Sequence, residues 1–180
     1  MSTIKVNNIE NRTGSSITIG GSSTTSLNLA STITGGTLTN TPAFLAYPSS
    51  AQTISANTIT TGAYNTEVYD TDGDYDTSTY IFTPTKAGTF YIFGSCAWND
   101  IDTGQDMYFN IYLNNSTHIF QARNKSNGNR QTQIGGVIVE MNGSTDNVRI
   151  RIEHSDTSGT IQMAEGRFRS MFGGYRLIGA

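Results

Sequence analysis

The chain carries little charge. Asp, Glu, Lys and Arg make up 14% of its 180 residues, and the net charge is -3. A nucleic-acid partner needs a concentrated basic surface that releases counterions, and this balance argues against one. A single cysteine, Cys96, excludes an intrachain disulfide framework, so the fold must hold by packing alone. No stretch approaches the roughly 20 apolar residues of a membrane span. The opening Met1-Ser2-Thr3-Ile4-Lys5-Val6-Asn7-Asn8 has no apolar run of the signal-peptide kind. The expectation is a chain folded in a cytoplasm, with neither membrane nor nucleic acid as partner. Also missing is any apolar stripe of period 3.6 over ten or more residues, which leaves almost no room for helix.

What the chain does have divides it at Thr41-Pro42. Residues 1–41 are about two-thirds Ser, Thr, Gly and Asn, with Lys5, Glu10 and Arg12 as the only charges. Alone, such a segment buries too little apolar area to offset chain entropy. Yet apolar residues alternate locally, as in Ile17-Thr18-Ile19 and Leu27-Asn28-Leu29, which is the period of a strand with one buried face. The Gly pairs Gly20-Gly21 and Gly35-Gly36 close two similar β segments fifteen residues apart, and that interval resembles the shaft repeats of trimeric viral fibres. Three arms wound together could bury Ile17, Ile19, Leu27, Leu29, Ile33 and Leu38 in one seam, and a single arm could not. The arm is expected to be extended and ordered only in an oligomer or on a docking surface, with a flexible tail as the alternative.

From residue 42 onward aromatic density rises and short β-rich runs follow one another. Strands are expected near 43–47, 63–69, 79–83, 88–98, 106–113, 117–123, 131–141, 146–153 and 167–178. Turn chemistry separates them: Asp72-Gly73, Ala87-Gly88, Asn114-Asn115, Asn127-Gly128, Asn142-Gly143 and Ser158-Gly159. Many short strands at this spacing imply a sandwich or jelly roll.

Three stretches then become specific. Tyr75-Asp76-Thr77-Ser78-Thr79-Tyr80-Ile81-Phe82-Thr83-Pro84, followed by Gly88-Thr89-Phe90-Tyr91-Ile92-Phe93, resembles the signature of C1q-like domains. Pro42-Ala43-Phe44-Leu45-Ala46 resembles that family's opening strand, and Phe172-Gly173-Gly174-Tyr175-Arg176-Leu177-Ile178 its closing one. The resemblance implies an all-β, ten-stranded C1q/TNF-like jelly roll over 42–180, assembled as a homotrimer behind the polar arm of 1–41. It also implies aromatic or aliphatic residues near the threefold axis. Tyr80, Phe82, Tyr91, Phe93, Phe172 and Tyr175 are the candidates, either for that seam or for the core of each head. The collagen-like Gly-X-Y stalk of many C1q proteins is absent, so complement or hormone biology does not follow.

The opening Met1–Ile9 resembles the start of structural and fibre proteins of tailed bacteriophages, notably those of marine bacteria and cyanobacteria. That resemblance implies a virion surface protein assembled in the host cytoplasm, whose arm binds the major capsid protein or tail proteins. The expected role is a capsid decoration or cement protein or a short spike. The alternatives are a receptor-binding tail-fibre tip that meets a host surface glycan and a free carbohydrate-binding module.

Chemistry offers few candidates. Asp70, Asp72, Asp74 and Asp76 alternate around Gly73 as in a calcium loop. An EF-hand reading fails, however, because Tyr75 holds the sixth position and Ile81 the twelfth. An Asx-rich turn is the expected role, with calcium as the alternative. His118 and His154 fit no metal-ligand spacing, no Gly-x-Ser-x-Gly elbow is present, and no catalytic residues or cofactor are expected. Two loops are candidates for ligand contact: Trp98, Asn99 and Asp100 in one, Arg123, Lys125 and Arg130 in the other. An aromatic beside amides and acids suits sugars, whereas solvated hairpin tips with Trp98 in the core are the plainer reading.

Overall fold

The computed structural model describes residues 40–128 and 130–178. The arm-seam candidates Ile17, Ile19, Leu27, Leu29, Ile33 and Leu38 lie outside the described residues.

Alternation of apolar and polar side chains builds two antiparallel sheets, and the described residues contain no helix. The first sheet contains β1 (Ala43–Tyr47), β2 (Gln52–Thr53), β4 (Thr66–Asp70), β7 (Gly88–Asn99), β10 (Gln131–Met141), β12 (Gln162–Met163) and β13 (Met171–Arg176). The second contains β3 (Thr60–Thr61), β5 (Tyr75–Asp76), β6 (Ile81–Phe82), β8 (Asp106–Leu113), β9 (Thr117–Lys125) and β11 (Val148–His154). Eight strands of five or more residues form the jelly roll. Five two-residue ladders are added where loops run along a strand already in place, so the count exceeds the ten expected.

In the first sheet β7 lies between β10 and β13, and β13 pairs in turn with β1. Opening and closing strands are therefore neighbours, with Ala43 opposite Tyr175. The register of β7 against β10 runs unbroken from Gly88↔Met141 to Trp98↔Gln131. In the second sheet β8 is central, flanked by β11 and β9.

The core lies between the sheets. Phe44, Phe90, Ile92, Trp98 and Phe172 come from one side, and Phe82, Phe109, Ile111, Ile150 and Ile152 from the other, all buried. Phe44 stacks on Tyr75 and Phe82 and meets Phe172 edge-on at 4.9 Å, the offset and edge geometries that aromatic quadrupoles favour. Tyr64 and Tyr75 carry hydroxyls into this core and donate them to Ser95 O and Tyr64 O. Burial pushes both phenols well above their ordinary pKa.

Candidate functional site

The outer face of the first sheet follows from the pleat. On β7 the residues Phe90, Ile92 and Cys96 point inward, so Tyr91 and Phe93 point out. Tyr175 on β13 stands opposite Tyr91, and Leu45 on β1 stands opposite Gly173. On β10, Ile138 lies opposite Tyr91, Gly136 opposite Phe93 and Ile134 opposite Ser95. Tyr91 stacks on Phe93 and meets Tyr175 edge-on, each with ring centroids 5.7 Å apart. Two glycines let these rings lie against the backbone. A Cβ at Gly136 would meet the Tyr91 hydroxyl at 2.5 Å, and one at Gly173 would meet Phe93 Cζ at 2.7 Å. The outcome is an apolar face that ends at β10, whose outer edge pairs with no strand among the described residues and where Ile134 is 73% and Ile138 62% exposed. A lone soluble domain seldom shows a contiguous patch of this kind.

The six aromatic candidates therefore separate. Tyr91, Phe93 and Tyr175 lie half-buried on the outer face. Phe82 and Phe172 are wholly buried in the head and unavailable to a seam. Tyr80 belongs to neither group. It sits in the turn after β5 with φ of +62°, its N–H donating to Asp76 O at 2.7 Å. Placing it on a strand over 79–83 is corrected, because Asp76 organises a tight turn there and the strand begins at Ile81.

The four aspartates are occupied locally. Asp70 accepts the N–H groups of Gly73 and Tyr75, and Asp74 the N–H and the hydroxyl of Thr85. Asp72 pairs with Lys86 at 2.6 Å, and hydrogen bonds from Lys86 and then Thr71 lower its pKa. Asp76 caps Ser78 and Thr79, which holds its carboxyl at about 2. The arrangement is a chain of Asx turns, and among the described residues no three potential metal ligands converge.

Both candidate ligand loops lie at the pole away from Pro42. Gly104 N–H bonds Ser126 O, and Asp102 N–H bonds Asp156 Oδ2. Trp98 and Asn99 must be removed from the ligand set: both are buried, because β7 continues through them. The Trp98 indole N–H donates to Gln133 Oε1 at 2.9 Å, and its ring meets His154 edge-on. Asp100 is exposed with φ of +63°. Arg123 and Lys125 are exposed and both pair with Asp106, and these bonds, Arg123 first, lower the Asp106 pKa. Arg130 is exposed in the loop before β10, which crosses from one sheet to the other. His154 is buried with Nε2 2.8 Å from Ile54 O, which marks a core histidine.

The sequence reading missed a second face. On the outside of the second sheet, three rows are set by register: Arg149, Tyr112 and His118; Arg151, Asn110 and Gln121; Glu153, Tyr108 and Arg123. The signal was present in Arg149-Ile150-Arg151-Ile152-Glu153, whose strict alternation puts every charge on one side.

The C1q domain family model matches residues 43–177. Among solved structures, the globular domain of zebrafish complement 1qA protein is 15% identical with a TM-score of 0.55, covering 76% of this chain and 97% of its own. Murine APRIL is 9% identical with a TM-score of 0.58, covering 75% and 98%. Eiger TNF from S. frugiperda is 11% identical with a TM-score of 0.55, covering 77% and 93%. At such identities the likeness is one of fold. No curated protein sequence matches the chain.

Proposed function

The chain belongs to the C1q domain family, and from that premise we propose that it is a self-associating, non-enzymatic head, a homotrimer in a bacteriophage virion. In this reading it decorates a capsid or forms a short spike, and the arm of residues 1–41 fastens it to capsid or tail proteins. The observation that carries self-association is the apolar outer face of the first sheet. Leu45, Tyr91, Phe93, Tyr175, Ile134 and Ile138 form one surface with the edge of β10 that pairs with no strand among the described residues, and such an edge invites pairing. Copies of the same chain are the natural cover, since a flat apolar patch is what obligate homo-oligomers bury. The threefold symmetry rests on family membership. The virion context rests on the resemblance of Met1–Ile9 to phage structural proteins.

Light scattering on the full chain tests the assembly. The expected mass is three times the 19.5 kDa chain, and Ile138→Asp is expected to return a monomer with native circular dichroism. A monomeric parent protein at micromolar concentration overturns the proposal. Fastening has its own test: a chain lacking residues 1–41 should leave purified particles unoccupied, and full occupancy by it refutes the arm's role.

A further inference from the structure

The second sheet's outer face has no place in that scheme, and its chemistry is specific. Arg149 and Arg151 project from the same side of β11, two residues apart, in a protein of net charge -3. Neither is in an ion pair among the described residues. Arg149 donates Nη2 to Asn147 Oδ1 at 3.0 Å. Arg151 packs its guanidinium over the Tyr112 ring at 5.1 Å and makes no side-chain hydrogen bond among the described residues. The Nε atoms of both arginines are buried and lack acceptors there. A buried donor without a partner is a standing cost, which a guanidinium turning outward to an incoming acceptor would shed. Burial, followed by repulsion from Arg151, lowers the pKa of Arg149, as expected of two cations with no anion between them.

The neighbours narrow the ligand. The exposed His118 ring lies over the buried Tyr112 at 4.2 Å between ring centroids, beside the guanidinium groups. Asn110 is held by Gln121 and by Arg151 O, so the centre of the face is amide rather than hydrocarbon. Glu153 occupies the next position along β11, and Arg123, already paired with Asp106, faces it across Tyr108. One end of the face thus favours an anion, and the other repels one but accepts hydroxyl groups. A nucleic acid, with a phosphate on every residue, fits this pattern poorly. A sugar chain with carboxylates spaced among hydroxyls fits it well, because guanidinium binds carboxylate in a two-pronged contact. The three strands span roughly 10 Å, which suits an extended chain more than a small ion.

We propose that the outer face of β8, β9 and β11 binds an acidic polysaccharide of the uronic-acid class. Arg149 and Arg151 hold a carboxylate, His118, backed by the buried Tyr112, supports a ring, and Gln121 and Glu153 meet hydroxyls. This site is independent of the oligomeric reading, since it uses none of the residues on the first sheet's face.

Calorimetry on the full chain with polygalacturonate, dextran sulfate, neutral dextran, duplex DNA and free galacturonate tests it. The expected result is saturable binding to polygalacturonate that weakens with salt, and none to neutral dextran. Arg149→Gln with Arg151→Gln should weaken it at least about ten-fold, the loss of two charge-assisted contacts, while Arg167→Gln leaves it unchanged. Should the double variant not fold, nuclear magnetic resonance on the unaltered protein supplies the readout. Polygalacturonate should then shift the Nε–H signals of Arg149 and Arg151. No binding to polygalacturonate, tighter binding to DNA or dextran sulfate, equal loss in Arg167→Gln, or unmoved Nε–H signals would each overturn the proposal.

Discussion

Replacing Gln133 with Met should be among the costliest single changes that leave the apolar core intact. Gln133 is buried on the inner side of β10, yet its amide joins four strands. Its Oε1 accepts the Trp98 indole N–H from β7 at 2.9 Å. Its Nε2 faces Met107 O on β8 at 3.1 Å, and Ala122 O and Asn124 Oδ1 on β9 at 3.1 and 3.0 Å. Methionine has similar length and no donor, so Gln133→Met strands the indole N–H in a dry site. A buried donor left unsatisfied costs about 1–3 kcal/mol. The carbonyls lose one partner each, and the expected total is about 2–4 kcal/mol. For a domain of this size that lowers the melting temperature by on the order of 10 °C. Trp98 is the only tryptophan, so its fluorescence reports unfolding at the altered site itself. Parent and variant must be compared at equal concentration, because assembly adds to apparent stability. Gln133→Glu should be worse than Gln133→Met, since it keeps an acceptor for Trp98 but turns negative charge on three oxygens. A Gln133→Met protein within about 0.5 kcal/mol of the parent, or a milder Gln133→Glu, would refute the hub.

Two further outcomes follow from buried and capped groups. Cys96 lies wholly inside and burial raises its thiol pKa, so a thiol reagent at pH 8 should leave the native protein unmodified and label it fully in denaturant. Asp76 is depressed to about 2 by its bonds to Ser78 and Thr79, against roughly 4 in an unfolded chain. Its contribution is therefore complete above pH 4 and lost as pH falls towards 2. Asp76→Asn keeps a capping oxygen without the titration, and its melting temperature should depend less steeply on pH between those values.

Much of the head was legible because the sequence alternates cleanly. The strands at 43–47, 106–113 and 131–141 appear with the expected limits, the first an aromatic run between Pro42 and Pro48 and the others ended by Asn114 and Asn142. The C1q signature at Tyr75–Pro84 located the turn and the β6–β7 connection, and the family match over 43–177 agrees with it. Four two-residue strands, β2, β3, β5 and β12, were not legible. A two-residue ladder has no periodicity and exists only because a distant strand is already there to pair with. Trp98 misled for a related reason. Beside Asn99 and Asp100 it resembles a sugar-stacking loop, yet the residue that decides its place is Gln133, thirty-five positions away. The separation of Phe82 and Phe172 from Tyr91, Phe93 and Tyr175 depended on knowing which side of each strand faces the other sheet. Periodicity assigns two sides without saying which one is covered. The Arg149 and Arg151 face escaped notice because each charge alone reads as solvated surface; register brings Tyr112 and His118 beside them.

The pairing of β1 with β13 has a practical corollary. Arg176 N–H bonds Pro42 O at 3.0 Å, so the polypeptide enters and leaves the head at one pole, side by side. A cargo peptide joined after residue 178 would therefore leave the head beside Pro42, where the chain enters it. The loop at Ser158-Gly159 is exposed and belongs to the opposite pole, hung from Asp156 and Asp102. For anyone wishing to display an epitope or a dye on this scaffold, that loop is the insertion point.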